Sequence, residues 1–165
     1  MLDENNYDET NHEINHEPMV RLITFTLENE TYGLEVGQVR EILRINQNFP
    51  VPGAPDYVLG ITNIRGNVIT ILDARRRFNL AIVEHTASTR MIVVESNDDT
   101  VAVVVDSVSD VIDVPKSSIN VNMKVNLNGD TRFISGVVTH ANGLIIILNV
   151  EKFITEEQFD MVAGF

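Results

Sequence analysis

From residue 19 onward the chain alternates short runs of β-branched and aliphatic residues with turns rich in Asn, Asp and Gly. The runs include "ITFTL" at 23–27, "ITILD" at 69–73, "VAVVV" at 101–105 and "LIIIL" at 144–148. Branched side chains suit a pleated, half-buried surface, so these runs predict strands. Runs without polar gaps, such as "VAVVV", predict burial on both faces or closure into a barrel, which also removes exposed edges. "GNVI" and "NGLI" read as tight hairpin turns, because Gly and Asn tolerate positive φ.

The pattern repeats. Residues 23–43 match residues 92–112 at a constant spacing of 69, so that Val39 falls on Val108, Glu41 on Asp110 and Ile42 on Val111. A second correspondence joins "GITNIRGNVITILDARRRF" (60–78) to "GVVTHANGLIIILNVEKF" (136–153). There Gly60 matches Gly136, Asp73 matches Asn149 and Phe78 falls against Phe153, and Gly66 meets Gly143 if one extra residue is allowed between. Both halves, about 23–78 and 92–153, thus carry the same order: hairpin, short acidic segment, Gly, hairpin, Phe. Each half lies near the lower size limit for an independent core. The expected architecture is therefore mostly β: two small packed five-stranded barrels, one from each unit.

Three helical pieces are expected between strands. Residues 35–44 place Val36, Val39 and Leu43 near helical spacing, but β-branching limits this to a short turn. Residues 54–60 have Pro at a first-turn position and Gly60 at a C-cap. Thr155 and Gln158 form a capping box opening a C-terminal helix over 156–163. Residues 49–55, "FPVPGAP", read as a stiff loop. Gly60 and Gly143 are expected as structural turn residues.

Charge and composition remove several function classes. Net charge is −12, and residues 1–18 carry half of it with no Lys or Arg. An acidic body repels phosphate backbones and anionic lipid, and an oligonucleotide-binding barrel would need a basic, aromatic-bearing face. Zero cysteines exclude disulfides, thiolate metal sites and Cys nucleophiles. The longest apolar runs are too short to span a bilayer, and the acidic N-terminus has no secretory h-region, so a soluble cytoplasmic protein is expected.

Candidate chemistry is sparse. "HEINH" holds His12 and His16 in the H-E-x-x-H spacing of zinc hydrolases, with Glu13 as the potential base. It lies in a polar, acidic tail two residues before Pro18, where disorder is expected, so a metal site is not. His85 and His140 have no partner motif and read as loop histidines. Asp73 reads as an Asx-type turn. Arg75-Arg76-Arg77 reads equally as an acidic-partner patch or as a solvated strand end facing the chain's own carboxylates. Arg65, on a turn whose counterpart lacks charge, suits pairing with a carboxylate, and Glu41 is the internal candidate.

Four pieces in order carry a resemblance: Y-G-hydrophobic-acid at 32–35, V-x-E-I at 39–42, G-x-x-N-I-R-G at 60–66 and V-D-x-V at 105–108. Together they resemble the CheW family of bacterial chemotaxis coupling proteins over about residues 19–160. The chain departs from many members at Thr70, where they have Pro, and at Ala74, where they have Leu. The resemblance implies SH3-like barrels, no catalysis and no cofactor. It implies a bridge between the regulatory domain of the histidine kinase CheA and the cytoplasmic helical tip of a chemoreceptor, with recruitment to membrane receptor arrays. A related adaptor of surface motility is the alternative reading. Carried over, the receptor groove would involve Val39, Glu41, Asn63, Ile64, Arg65, Val108 and Val111, and the kinase contact Gly66 and Val68.

Deleting residues 1–18 is expected to leave thermal unfolding nearly unchanged and to remove no stoichiometric zinc. A Tm drop of several degrees, or zinc that disappears with the tail, would revive the metal reading.

Overall fold

The computed structural model describes residues 17–121, 131–141 and 143–154. The strands are β1 (Met19–Leu27), β2 (Glu30–Glu35), β3 (Val39–Leu43), β4 (Val58–Ile64), β5 (Asn67–Asp73), β6 (Arg90–Ser96), β7 (Asp99–Val105), β8 (Ser107–Pro115), β9 (Ile134–His140) and β10 (Gly143–Leu148). Two short helices close the halves, α1 (Ala74–Arg77) and α2 (Val150–Ile154). The strands form two five-stranded sheets, ordered β8-β1-β2-β10-β9 and β3-β6-β7-β5-β4.

This order confirms the repeat and corrects the expectation of one barrel per unit. The two sheets match strand for strand: β8 with β3, β1 with β6, β2 with β7, β10 with β5 and β9 with β4. Yet each sheet mixes the halves. The first hairpin of one half pairs with the third strand and second hairpin of the other. The registers agree with the repeat at residue level. Val39 pairs with Val94 and Val108 with Phe25; Ile42 pairs with Ile92 and Val111 with Ile23. The parallel joins agree too, Tyr32 with Ile146 and Val101 with Thr70. Short turns cannot join parallel strands, which is why these pairings are left to strands from opposite halves.

Each sheet curls until its edge strands nearly meet. No ladder joins β3 to β4 or β8 to β9 among the described residues. Instead the segment after each edge strand crosses the seam. Phe49 and Ile61 exchange two backbone hydrogen bonds of 2.9 Å, and Asn120 and Val137 exchange bonds of 2.8 and 3.0 Å. Gly60 and Gly136 stand beside these crossings. A Cβ at Gly60 would lie 2.4 Å from the Phe49 carbonyl oxygen, and one at Gly136 would lie 2.8 Å from Ile119 Cγ2. Gly60 therefore admits a neighbouring backbone at a bulge in β4 and does not cap a helix. Residues 54–60 form no helix: they are loop and turn before β4 opens at Val58. The helical reading of 35–44 shrinks to a 3-10 turn at Val36–Gln38, after which branched residues enter β3.

The β4–β5 turn has two residues, Arg65 and Gly66, both at positive φ. Its counterpart begins at Ala141, φ 52°, and Gly143 already pairs with His140. So Gly143 is not a turn residue. It matches Asn67, and no extra residue separates the hairpins. The expected helix at 156–163 and the motif at His12 and His16 lie outside the described residues. Glu17 and Pro18 are held: Lys116 N donates to the Pro18 carbonyl at 2.9 Å, and Ser117 Oγ donates to Glu17.

Alternate residues of the strands serve different cores, as expected for strands buried on both faces. Ile71, Met91, Val93, Ala102 and Val104 fill the interior of one sheet, and Leu22, Val114, Val138, Ile145 and Ile147 that of the other. The largest cluster lies between the sheets and includes Phe25, Tyr32, Phe78, Ile92, Val103, Phe133, Ile146 and Phe153. The Phe78 ring lies 5.8 Å from that of Phe153 and 5.9 Å from that of Phe133, so helices α1 and α2 meet in this core. Burial pushes the Tyr32 phenol up to about 12, and the fields of Glu30 and Glu28 add to it, so the ring stays neutral in the core.

The three arginines of α1 take three different directions and do not form a surface patch. Arg77 is 6% exposed; its guanidinium lies 4.1 Å from the Tyr57 ring centre and donates to the Phe153 carbonyl at 3.1 Å. Arg76 turns back to Asp73 at 3.4 Å. Asp73 caps α1 by accepting from Arg75 N at 3.0 Å, and Asn149 caps α2 by accepting from Lys152 N at 3.0 Å. Arg75 makes a two-pronged bond to Asp106, Nε to Oδ1 at 2.8 Å and Nη2 to Oδ2 at 2.7 Å. Asp106 Oδ2 also accepts from Glu28 N at 2.9 Å. One carboxylate thus ties α1 to the β7–β8 junction and the β1–β2 turn. Burial raises the Asp106 pKa, but Arg75 and the Glu28 N–H outweigh it and hold the carboxyl below its ordinary value of 3.8.

Two outcomes follow. Gly60→Ala and Gly60→Asp should each lower unfolding free energy by about 1–3 kcal/mol, because a carbonyl must move. Gly136→Ala should cost less, since a flexible Ile119 methyl can yield; equal losses in denaturant titration would contradict this. Asp106→Asn should cost about 1–3 kcal/mol at pH 7. A depressed folded-state pKa stabilises above the unfolded value. The gap to wild type should therefore hold down to about pH 4 and shrink below 3.8 as wild type loses the same charge. Acid titrations of both proteins by circular dichroism measure it.

Candidate functional site

The seam of the β3–β4 sheet opens at one end into a cleft of about 460 Å³. Glu41, Leu43, Asn63, Ile64, Arg65 and Met91 are among its lining residues. A bulge between Val39 and Glu41 sets this face. Before the bulge, Val39 packs on the core between the sheets; after it, Leu43 packs on the interior of its own sheet, and Glu41 stands at the mouth. The turn places Arg65 opposite. Its Nη1 donates to Glu41 Oε2 at 2.6 Å. The pairing expected from the sequence is thus present, and it spans the seam.

The bond is single-pronged. The Glu41 side chain is 21% exposed, but that of Arg65 is 76% exposed. Most of the guanidinium therefore still faces solvent, able to accept a second carboxylate. Asn63 Oδ1 accepts from Gly66 N at 2.9 Å and stiffens the turn beneath it. Ile64 reaches the apolar interior and anchors the hairpin. Val68 pairs across the ladder with Asn63, so the two share the outward face, and Val68 is 69% exposed.

The expected groove residues fall into separate groups. Glu41, Asn63, Ile64 and Arg65 come together at this cleft. Val39 and Val108 both pack at the rim of the core between the sheets, one from each sheet. Val111 lies on β8 in the other sheet and is 60% exposed. Leu43 and Met91, which floor the cleft, were not picked out from the sequence, because their place depends on the bulge and on pairing between halves. Exposed Ile42, matching Val111, is a further apolar surface residue.

The cleft lining holds one carboxylate, Glu41, and two arginines, Arg44 and Arg65. His85 and His140 are exposed and lie on a loop and a strand end. Among the described residues, no group of three or more His, Asp and Glu residues is placed to hold a metal ion. A larger cleft of about 720 Å³ lies beside Met19, Arg21, Gly37 and Asp113, but it contains none of the residues expected from the sequence. Its rim pair, Arg21 and Asp113, bonds at 2.8 Å on the exposed surface, and the hydrogen bond from Arg21 holds the Asp113 carboxyl below its ordinary value. No described helix is long and apolar enough to cross a membrane.

The model of the CheW-like domain matches residues 21–158. The chemotaxis protein CheW of Klebsiella aerogenes is 30% identical over 140 residues, covering 85% of this chain and 84% of that protein. The chemotaxis protein CheW of Treponema pallidum is 26% identical, with 87% of each chain covered. The crystal structure of the scaffolding protein TtCheW from Thermoanaerobacter tengcongensis superposes with a TM-score of 0.79 at 27% identity, covering 86% of this chain and 96% of that one. A family match over residues 21–158, a relative 30% identical over most of both chains and a shared two-sheet fold place this chain in the CheW-like family of chemotaxis adaptor proteins.

Proposed function

We propose that this protein is a non-catalytic adaptor coupling a chemoreceptor to the histidine kinase CheA. The observation that carries the reading is the Arg65–Glu41 pair: an internal ion pair at the mouth of a seam, with most of its guanidinium left to solvent. A receptor tip is helical, and helices present apolar positions at regular spacing beside charged ones. Val39 and Val108 supply apolar rim, and Glu41 and Arg65 set register beside it. Asn63 and Ile64 hold the hairpin that carries the arginine, and Val111 extends the apolar surface. The kinase contact is assigned to the opposite, outward face of the same hairpin, at Gly66 and Val68. One rigid body then contacts two partners and raises the effective concentration of kinase at receptor, which recruits the protein to receptor arrays.

The test separates folding from coupling. An exposed pair contributes only about 0–1 kcal/mol to stability, so Arg65→Ala should unfold close to wild type. Losing a guanidinium that also meets a partner's carboxylate should cost about 2–5 kcal/mol of binding where the contact is desolvated. Kinase activation by receptor should fall accordingly in a reconstituted mixture. Arg65→Lys should rescue in part, because an ammonium lacks the planar fork. Arg65→Glu with Glu41→Arg restores the internal pair but presents the wrong sign outward, so coupling should stay low. Full recovery by the swap would make Arg65 an internal brace only.

A further inference from the structure

The two sheets are alike in register, but their seams differ in charge. At the first seam Glu41 meets Arg65. At the second, the same strand position carries Asp110 and the same turn position carries Ala141. Both positions follow a bulge at the same place in the strand, although Glu41 pairs with Val93 in its ladder and Asp110 is held by the Thr24 side chain instead. Asp110 shares its strand face with Ile112, which packs on the sheet interior, as Glu41 shares its face with Leu43. The backbone of Asp110 is secured by Thr24, whose Oγ1 accepts from Asp110 N at 3.0 Å and donates to the Asp110 carbonyl at 3.2 Å. The side chain of Asp110 forms no ion pair among the described residues, and the residue is exposed. His140, which matches Ile64, forms no ion pair with it either. Val111, 60% exposed, stands next to it on β8.

We propose that Asp110 is the docking point for an arginine of the receptor tip, whose guanidinium fills at the second seam the place that Arg65 fills at the first. Charge complementarity selects a cation, and the fixed backbone presents the carboxylate without further ordering. An arginine fits better than a lysine, because its planar fork can bond both carboxylate oxygens. This inference rests on the adaptor reading and adds to it the chemistry of the partner's contact.

A purified receptor cytoplasmic fragment is the probe, titrated against the full chain at low ionic strength. Asp110→Asn keeps the shape and removes the charge, and should weaken binding about tenfold with unchanged Tm. Asp110→Glu should retain most of the affinity. Ala141→Arg is the second arm. Ala141 already has φ 52°, beside 51° for Arg65, so the substitution meets a backbone that arginine adopts in this same protein. The new guanidinium should occupy Asp110 from within, weaken receptor binding as Asp110→Asn does, and add nothing to it in the double variant. Wild-type affinity in Asp110→Asn, with Arg65→Ala impaired, would overturn this inference and leave the adaptor reading standing. A wild-type chain that binds no receptor fragment would overturn both.

Discussion

Neither half of this chain can complete a sheet without the other. The first hairpin of each half must find its edge strand and its parallel neighbour in the opposite half, and everything else in the molecule is arranged around that exchange. The core between the sheets follows from it. Phe78 closes one half and Phe153 the other, and their rings lie 5.8 Å apart. Arg77 seals the join, stacked on aromatic rings with its charge directed to a carbonyl of the other half. A buried guanidinium is tolerable only with such partners. The exchange therefore turns two marginal units into one cooperative body, whose central core belongs to neither half alone.

Symmetry in the backbone is set off by asymmetry in charge. The clamp of Arg75 on Asp106 and Glu28 has no mirror in the other half: the positions equivalent to Asp106 and Glu28 are Gly37 and Asn97. The seam pair Glu41–Arg65 likewise has only its acid repeated, as Asp110. Duplicated strands supply a rigid frame, and single charged positions distinguish the two mouths.

Rigidity suits an adaptor, which works by holding its contact surfaces at a fixed geometry. Arg65 and Gly66, the proposed contact residues of the turn, sit between paired strands, anchored inward by Ile64 and stiffened by Asn63 on Gly66. Little conformational entropy remains to be lost when a partner docks there. The outward and seam-facing sides of one hairpin are held at a constant angle by the ladder between Asn63 and Val68.

The sequence by itself determined most of the strands, the repeat, the turn-forming role of Asp73, and the family resemblance carried by four short motifs. These are local or periodic properties: branching, turn chemistry and spacing can be read along one chain. It also offered Glu41 as the internal candidate partner of Arg65, and the fold then brought the two to 2.6 Å. Tertiary structure alone decided which half each strand serves, since a β-former states its preference for a ladder without naming its neighbour. It decided that Gly60 admits the carbonyl of Phe49 and caps no helix, and that Gly143 begins a strand. It decided that three adjacent arginines go to a core, a local acid and a long-range clamp. Each of those outcomes depends on a residue far away in sequence, and no local pattern records what the folded chain brings alongside.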